Sequence, residues 1–331
     1  MSGQTAGTAT RTKLRLPVGW YVEWGTGTSG RLRQLKAHVR EARPSTRLWM
    51  DIMLPLAVIA AVTNGDPPWR VTVLFVLAML LLHYAATLLN DVQDAETDRH
   101  SDELLRRTRP IAFGTIPRRV AIIEIGACSL LGIAVATLVS WQLGVACAVL
   151  ILLVSQHELP PLRTQSRPLL SPVAGLIGLA GIAFCICLAV STVPDLAGYL
   201  FILFVVTYLG AAEMLVKDVR DVANDAQGGK QTTSVKYGAG RSAWLALGAY
   251  AAATACYVGY VGVTFAREPL VGAGLAVGIL ILLTWAALVV RIAVGLGRPR
   301  ARPTLGRQLH RGSVITFSTV SFVVIAAQLG L

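Results

Sequence analysis

The residues best suited to chemistry are acidic, and they come in two sets. Asn90, Asp91, Asp94 and Asp98 follow an apolar run that begins near residue 71, and Asp218, Asp221 and Asp225 follow another that begins near residue 196. Within each set the aspartates are spaced by three and then four residues, and each aspartate of the second lies 127 residues after its counterpart in the first. At about 100° per helical residue, this spacing gathers the three carboxylates into one narrow arc, with Asn90 beside the first. One such cluster alone reads most simply as a solvated helix end. Two matched clusters imply a common purpose, because carboxylates facing a shared cavity repel one another and hold protons unless cations join them. Mg²⁺ prefers oxygen ligands, keeps several waters, and is held by one or two carboxylates plus substrate phosphate oxygens. Two sparse carboxylate helices facing each other therefore suit a diphosphate held between metal ions. The His and Cys ligands that would indicate zinc are missing from both segments.

Basic residues accompany the acidic sets. Lys217, Arg220, Arg109, Arg163 and Lys230 lie within or near these segments. Arg109 in RTRPIAFG and Arg163 in LPPLR sit beside prolines in short loops that return to the apolar runs, where a guanidinium can clamp phosphate oxygens. Deeper on the first arc lie Thr87 and Tyr84; deeper on the second lie Met214, Ala211, Gly210 and Thr207. Small residues there either pack helices tightly or leave room for a lipid chain. Tyr84 either packs or stacks on an acceptor ring or faces a cation.

The elements that must position these residues are membrane helices. The chain has 331 residues, is 54% hydrophobic and only 15% charged, which excludes an ordinary soluble domain. Nine stretches approach the roughly 20 residues needed to cross a hydrocarbon core, at about 48–64, 71–90, 119–140, 141–157, 169–192, 196–216, 243–265, 269–296 and 313–331. With the N-terminus inside, nine crossings leave only Arg70 and Arg267 of the 30 basic residues in outer loops, as the inside-positive bias requires. Both acidic sets then fall on the cytoplasmic side. The net charge of +12 is mostly orientation signal and contact with anionic lipid, and no soluble basic face is left over for nucleic acid.

Residues 1–42 form a cytoplasmic N-terminal segment and 43–331 the membrane domain. The N-terminal segment has no apolar h-region or cleavage site of a signal peptide. Leu32, Leu35 and Val39 recur among Arg31, Arg33, Lys36 and Arg40, the pattern of either a basic helix on the inner leaflet or a cytosolic tail. Cys128, Cys147, Cys185, Cys187 and Cys256 all fall in expected spans and read as small apolar residues.

At this point the residues resemble the UbiA superfamily of intramembrane prenyltransferases. NDxxDxxxD is matched by Asn90, Asp91, Asp94 and Asp98; DxxDxxxD followed by GG and Thr is matched by Asp218, Asp221, Asp225, Gly228, Gly229 and Thr232. The likeness extends to Arg43–Pro44, to Arg109, Pro110 and Gly114, and to Pro160 through Arg163. It implies an all-α polytopic bundle around a central cavity, opening sideways to lipid. It also implies that the two acidic motifs bind Mg²⁺ and a prenyl diphosphate near the cytoplasmic face of an inner, plasma membrane. The aspartates of both motifs with Asn90 are then the metal ligands, and Asp91, Asp94, Asp218 and Asp221 the catalytic centre. Arg43, Arg109, Arg163, Lys217, Lys230, Asn90 and Tyr84 are then the candidates for contacting diphosphate or acceptor. His157 and Glu158 stand where many members carry Tyr-Ser, so His157 reads as either a base or a helix-end histidine.

The reaction expected is Mg²⁺-dependent transfer of a prenyl group to a hydrophobic, aromatic acceptor. A cyclase in which the ionised chain attacks itself fits the same motifs. The spacer after the first motif resembles members using 4-hydroxybenzoate or haem, while the second motif resembles the chlorophyll, homogentisate and archaeal-lipid branches, so the acceptor is left open. A transporter is disfavoured: Asp51, Glu124 and Glu213 lie close to the cytoplasmic ends of their spans, leaving no chain of charge across the midplane.

Overall fold

A computed structural model describes residues 13–15, 21–23, 36–38, 48–99, 110–297 and 304–331. A two-stranded antiparallel ladder, β1 (Lys13–Arg15) and β2 (Tyr21–Glu23), pairs Leu14 with Val22. The other described elements are helical. A π-helical stretch, Leu48–Met53, leads into α1 (Leu54–Val62). Next come α2 (Trp69–Gln93), the single turn α3 (Ala95–Asp98), α4 (Arg118–Val139), α5 (Trp141–Glu158) and α6 (Leu170–Val190). The run called α7 here (Leu196–Gln227) is α-helical at both ends and π-helical over Val206–Glu213. The short α8 (Thr233–Tyr237) and the long α9 (Ala239–Arg267), α10 (Pro269–Leu296) and α11 (Thr304–Leu329) complete the chain.

Among the described residues eight helices are long and apolar enough to cross a membrane, and the membrane domain of this integral membrane protein is helical. The first expected span differs from the other eight. Its apolar helix, Met50–Val62, covers roughly 20 Å at about 1.5 Å per residue, short of a core about 30 Å thick. The helix stops because Asn64 and Gly65 both take positive φ, 50° and 80°, which a right-handed helix cannot continue through. Nearly all of α1 is buried, so it sits inside protein rather than against lipid and need not match the bilayer. By contrast α4 turns Ile122, Ile123, Leu130, Leu131 and Leu138 outward, as a lipid-facing helix does.

Helices adjacent in sequence pack side by side, α2 on α4, then α5, α6, α7, α9, α10 and α11, and α11 returns to α1. With no hydrophobic drive between helices inside lipid, such contacts rely on close packing and satisfied polar groups. Phe201, Phe204, Tyr208, Tyr250, Tyr257, Tyr260 and Phe317 form a fully buried aromatic core. Its hydroxyls are paired: Tyr208 donates to the Ser313 carbonyl at 3.0 Å, Tyr250 to Ser313 Oγ at 2.6 Å and Tyr257 to the Leu275 carbonyl at 3.0 Å. Where α6 crosses the π-helical part of α7, a Cβ on Gly175 would lie 2.3 Å from the Gly210 carbonyl oxygen. The small residues above the second acidic set therefore serve tight packing.

Of the N-terminal helix expected over Leu32–Arg40, only 36–38 is described, and it is helical. Ala37 is buried with Leu88, Val92, Ile111 and Ile116 at the end of α2. Arg43, Arg109 and the boundary at 42 lie outside the described residues.

Candidate active site

The two acidic sets meet at one end of the bundle. Lys230, in the turn after α7, is buried and donates from Nζ to Asp94 Oδ2 at 2.8 Å, while Asp225 Oδ1 lies 3.9 Å from the same nitrogen. One ammonium thus bridges the first set and the second. Burial works against its charge, but Asp94, Asp225 and Glu158 outweigh that and hold its pKa above the usual lysine value.

Around Asp94 lies a ring of amides and acids. Asn90 Nδ2 donates to Glu158 Oε2 at 2.8 Å and approaches Gln165 Oε1 at 3.4 Å and Asp94 Oδ2 at 3.5 Å. Gln165 Nε2 in turn reaches Asp94 Oδ1 at 3.4 Å. Asp91 is only 2% exposed, and Asp98 is also buried. The expected single ridge is interrupted here: α2 ends at Gln93 and Asp94 serves as its C-cap, with φ −87° and ψ 1°. Asp and Asn compete for local hydrogen bonds and favour such ends over helix interiors. The interruption is slight, for Asp94 N and Asp98 N still bond four residues back, each at 2.8 Å.

The second set stands on an unbroken helix. Asp218 is buried and accepts from the Thr233 backbone N–H at 3.1 Å, while Thr233 Oγ1 accepts from Leu169 N at 3.1 Å. Gln231 N bonds to the Ser166 carbonyl at 3.2 Å, so the turn after α7 is laced to the loop between α5 and α6. Asp221 is half-buried at the rim, where Arg220 donates to both its oxygens at 2.7 and 2.5 Å. Lys217 is exposed nearby. Arg163 has a left-handed backbone, φ 38°, and a buried Nε that makes no hydrogen bond among the described residues. His157 pairs through Nδ1 with Thr164 Oγ1 at 2.7 Å, which ties the end of α5 to its own loop. The Tyr84 hydroxyl donates to Glu124 on α4 at 3.3 Å, and its ring packs against the cluster around Leu88 and Val92.

A model of the UbiA prenyltransferase family matches residues 52–295. The chain belongs to that family. This prenyltransferase is 29% identical over 225 residues to digeranylgeranylglyceryl phosphate synthase of Methanoculleus marisnigri, covering 67% of this chain and 74% of that one. It is 35% identical over 69 residues to 4-hydroxybenzoate octaprenyltransferase of Thiobacillus denitrificans, covering 21% of this chain and 23% of the other. In fold it is similar to a UbiA homologue from Archaeoglobus fulgidus bound to GPP and Mg²⁺, with a TM-score of 0.63 at 18% identity over 88% of this chain and 99% of that one. It is therefore an intramembrane prenyltransferase.

Among the described residues no three His, Cys, Asp or Glu side chains converge tightly enough to cage a metal by themselves. The donors are oxygens only, and the Lys230 ammonium stands between Asp94 and Asp225 where one positive charge serves both motifs. That chemistry fits Mg²⁺ carried in with phosphate oxygens better than a preformed protein cage. Gln165 and Thr233 hydrogen-bond members of the two acidic sets although spacing did not single them out. Gln165 lies two residues after Arg163 and Thr233 one after Thr232, so a wider reading of those flanks would have included them.

Proposed function

We propose that this prenyltransferase binds an isoprenyl diphosphate with Mg²⁺ in the hollow between the two acidic motifs and transfers the prenyl group to a hydrophobic, aromatic acceptor. The observation that carries this reading is the single ammonium of Lys230 shared by Asp94 and Asp225, since carboxylates that can share one cation can share the counter-charge of a diphosphate. The aspartates of both motifs and Asn90 would hold Mg²⁺, which when bound neutralises charge growing on the leaving diphosphate. Lys230, Arg163 and Lys217, with Arg43 and Arg109, supply the cations that grip diphosphate oxygens. The buried helices exclude water from the allylic cation until the acceptor captures it. The site opens to the cytoplasmic side of the inner, plasma membrane, on the strength of the basic loops that share its end of the chain's topology.

The reading is tested by diphosphate release from geranyl diphosphate by the purified enzyme, with Mg²⁺ and with excess EDTA. Release that persists in EDTA, or that survives Asp94→Ala unchanged, would reject it. A cyclised product formed from the donor alone would assign the reaction to cyclisation instead of transfer.

A further inference from the structure

One carboxylate–imidazole pair lies above the acidic site and is used by nothing described so far. Asp51, in the π-helical stretch before α1, is 1% exposed and hydrogen-bonds His83 Nδ1 on α2. His83 itself keeps 33% of its side chain exposed, and among the described residues its Nε2 makes no hydrogen bond. On α2 it precedes Asn90 by seven residues and Asp94 by eleven, which places all three within about 20° of one line along the helix. Asn90 and Asp94 both face inward, toward Glu158, Gln165 and Lys230. His83 therefore stands on the same inner face, about 10 Å deeper than Asn90 at about 1.5 Å per residue. Thr87 fills the turn between them and donates to the His83 carbonyl at 2.9 Å.

A buried carboxylate on one ring nitrogen fixes the imidazole's orientation and tautomer and leaves the other nitrogen to accept a proton. We propose that His83 is the base that takes the hydroxyl proton of the acceptor, with Asp51 as its positioning residue, and that the acceptor accordingly belongs to the hydroxyl-bearing class. This rests on the proposal that the donor's diphosphate is held at Asn90 and Asp94. The C1–O bond of the allylic diphosphate breaks and its electron pair leaves on the diphosphate. The acceptor O–H proton passes to His83 Nε2, and the freed electron pair forms the new bond to C1. Attack from oxygen gives an ether; attack from a conjugated ring carbon gives a C-prenylated product after the ring proton returns to oxygen. The imidazolium stays paired with Asp51 and loses its proton to water once product departs.

A second pair, His310 Nδ1 with Glu213 Oε1 at 2.5 Å, offers a matched control. Glu213 lies in the π-helical part of α7, five residues past Tyr208 of the aromatic core, and off the line of Asn90 and Asp94.

The test uses the full-length enzyme in lipid nanodiscs with Mg²⁺, geranyl diphosphate, and either 4-hydroxybenzoate or a prenylglyceryl phosphate as hydroxyl-bearing probe, scoring transfer product, geraniol and diphosphate together. His83→Asn keeps a carboxamide donor for Asp51 but no base. Its transfer rate should fall on the order of 10²–10⁴-fold while diphosphate release continues and geraniol replaces the transfer product. Asp51→Asn should shift the product ratio the same way by less, and the double variant should be no worse than His83→Asn, because the two act as a unit. His310→Asn should leave the ratio of transfer product to geraniol unchanged. The proposal is overturned if His83→Asn leaves that ratio intact, if His310→Asn shifts it instead, or if the unaltered enzyme releases diphosphate yet prenylates neither probe. Absence of any diphosphate release by the unaltered enzyme rejects the donor site itself.

Discussion

The two acidic motifs have the same spacing and different architectures. The first ends a helix: Asp94 caps α2, and its partners are the flexible side chains of Gln165, Asn90 and Lys230. The second rides on the continuous C-terminal part of α7 below a π-helical stretch, and Asp218 is fixed by a backbone amide, that of Thr233. A side chain that must rearrange around cargo is better held by other side chains, and one that must stay put by main chain. On the proposed reading the first motif is thus the adjustable jaw of the site and the second the fixed one.

The largest test of that comparison is removal of one carboxylate from each jaw. Asp94→Ala and Asp221→Ala should each slow diphosphate release from geranyl diphosphate on the order of 10²–10³-fold, since each withdraws stabilisation felt most in the transition state. They should differ in stability. Asp94 is the 2.8 Å partner of buried Lys230, so only Asp94→Ala leaves that ammonium with the more distant Asp225 at 3.9 Å and lowers the melting temperature; Asp221, half-buried and gripped by neighbouring Arg220, should not. Equal melting temperatures would erase the distinction between the jaws.

Next in size is Lys230→Met, which removes the charge shared by Asp94 and Asp225. Breaking a buried pair from one side costs on the order of 3 kcal/mol. Thermal melting in EDTA should show most of that loss, and Mg²⁺ with diphosphate should restore much of it by supplying positive charge to the same oxygens. A loss indifferent to Mg²⁺ would mean the carboxylates do not share a cation site. Gly210→Leu follows: a Cβ there would meet the Gly175 backbone at 2.8 Å, and overpacking of this kind costs about 1–3 kcal/mol. The expected result is a lower melting temperature with the Mg²⁺ dependence unchanged, measured by the same assay.

Much of this was legible in the sequence because it depends on charge and period. Three carboxylates at helical spacing, repeated after an apolar run, specify which residues face together, and Lys230 two residues before Thr232 announces itself by its charge. Helical identity follows from apolar length, so the membrane fold was readable as well. The remainder depends on tertiary neighbours. That α1 ends at Val62 follows from positive φ at Asn64 and Gly65, and Asn-Gly after an apolar run could have signalled it. The π-helix in α7 has no period visible in hydropathy, and it alters which residues share a face above Asp218. Tyr84 has the right spacing, yet its hydroxyl reaches Glu124 on α4, because a helix wheel gives a direction and not the neighbour standing there. His83 was reachable, since it sits on the line of Asn90 one turn beyond Thr87; what spacing could not supply was Asp51, 32 residues earlier and on another helix.

The smallest effect bears most directly on what makes the second jaw rigid. Thr233 is fully buried; its N–H serves Asp218 while its hydroxyl oxygen accepts from Leu169 N at the start of α6. Thr233→Val keeps the shape and the backbone donor but leaves the Leu169 amide without that acceptor, a cost of about 0.5–1.5 kcal/mol for one partly buried hydrogen bond. If main-chain anchoring is what fixes Asp218, the variant should show faster amide exchange at Leu169 and in α8, and a weaker KM for geranyl diphosphate, with kcat held within about twofold because no group acting on the leaving diphosphate has been lost. A fall in kcat at unchanged KM would instead place Thr233 among the groups that act in the transition state, and the second motif would then be as adjustable as the first.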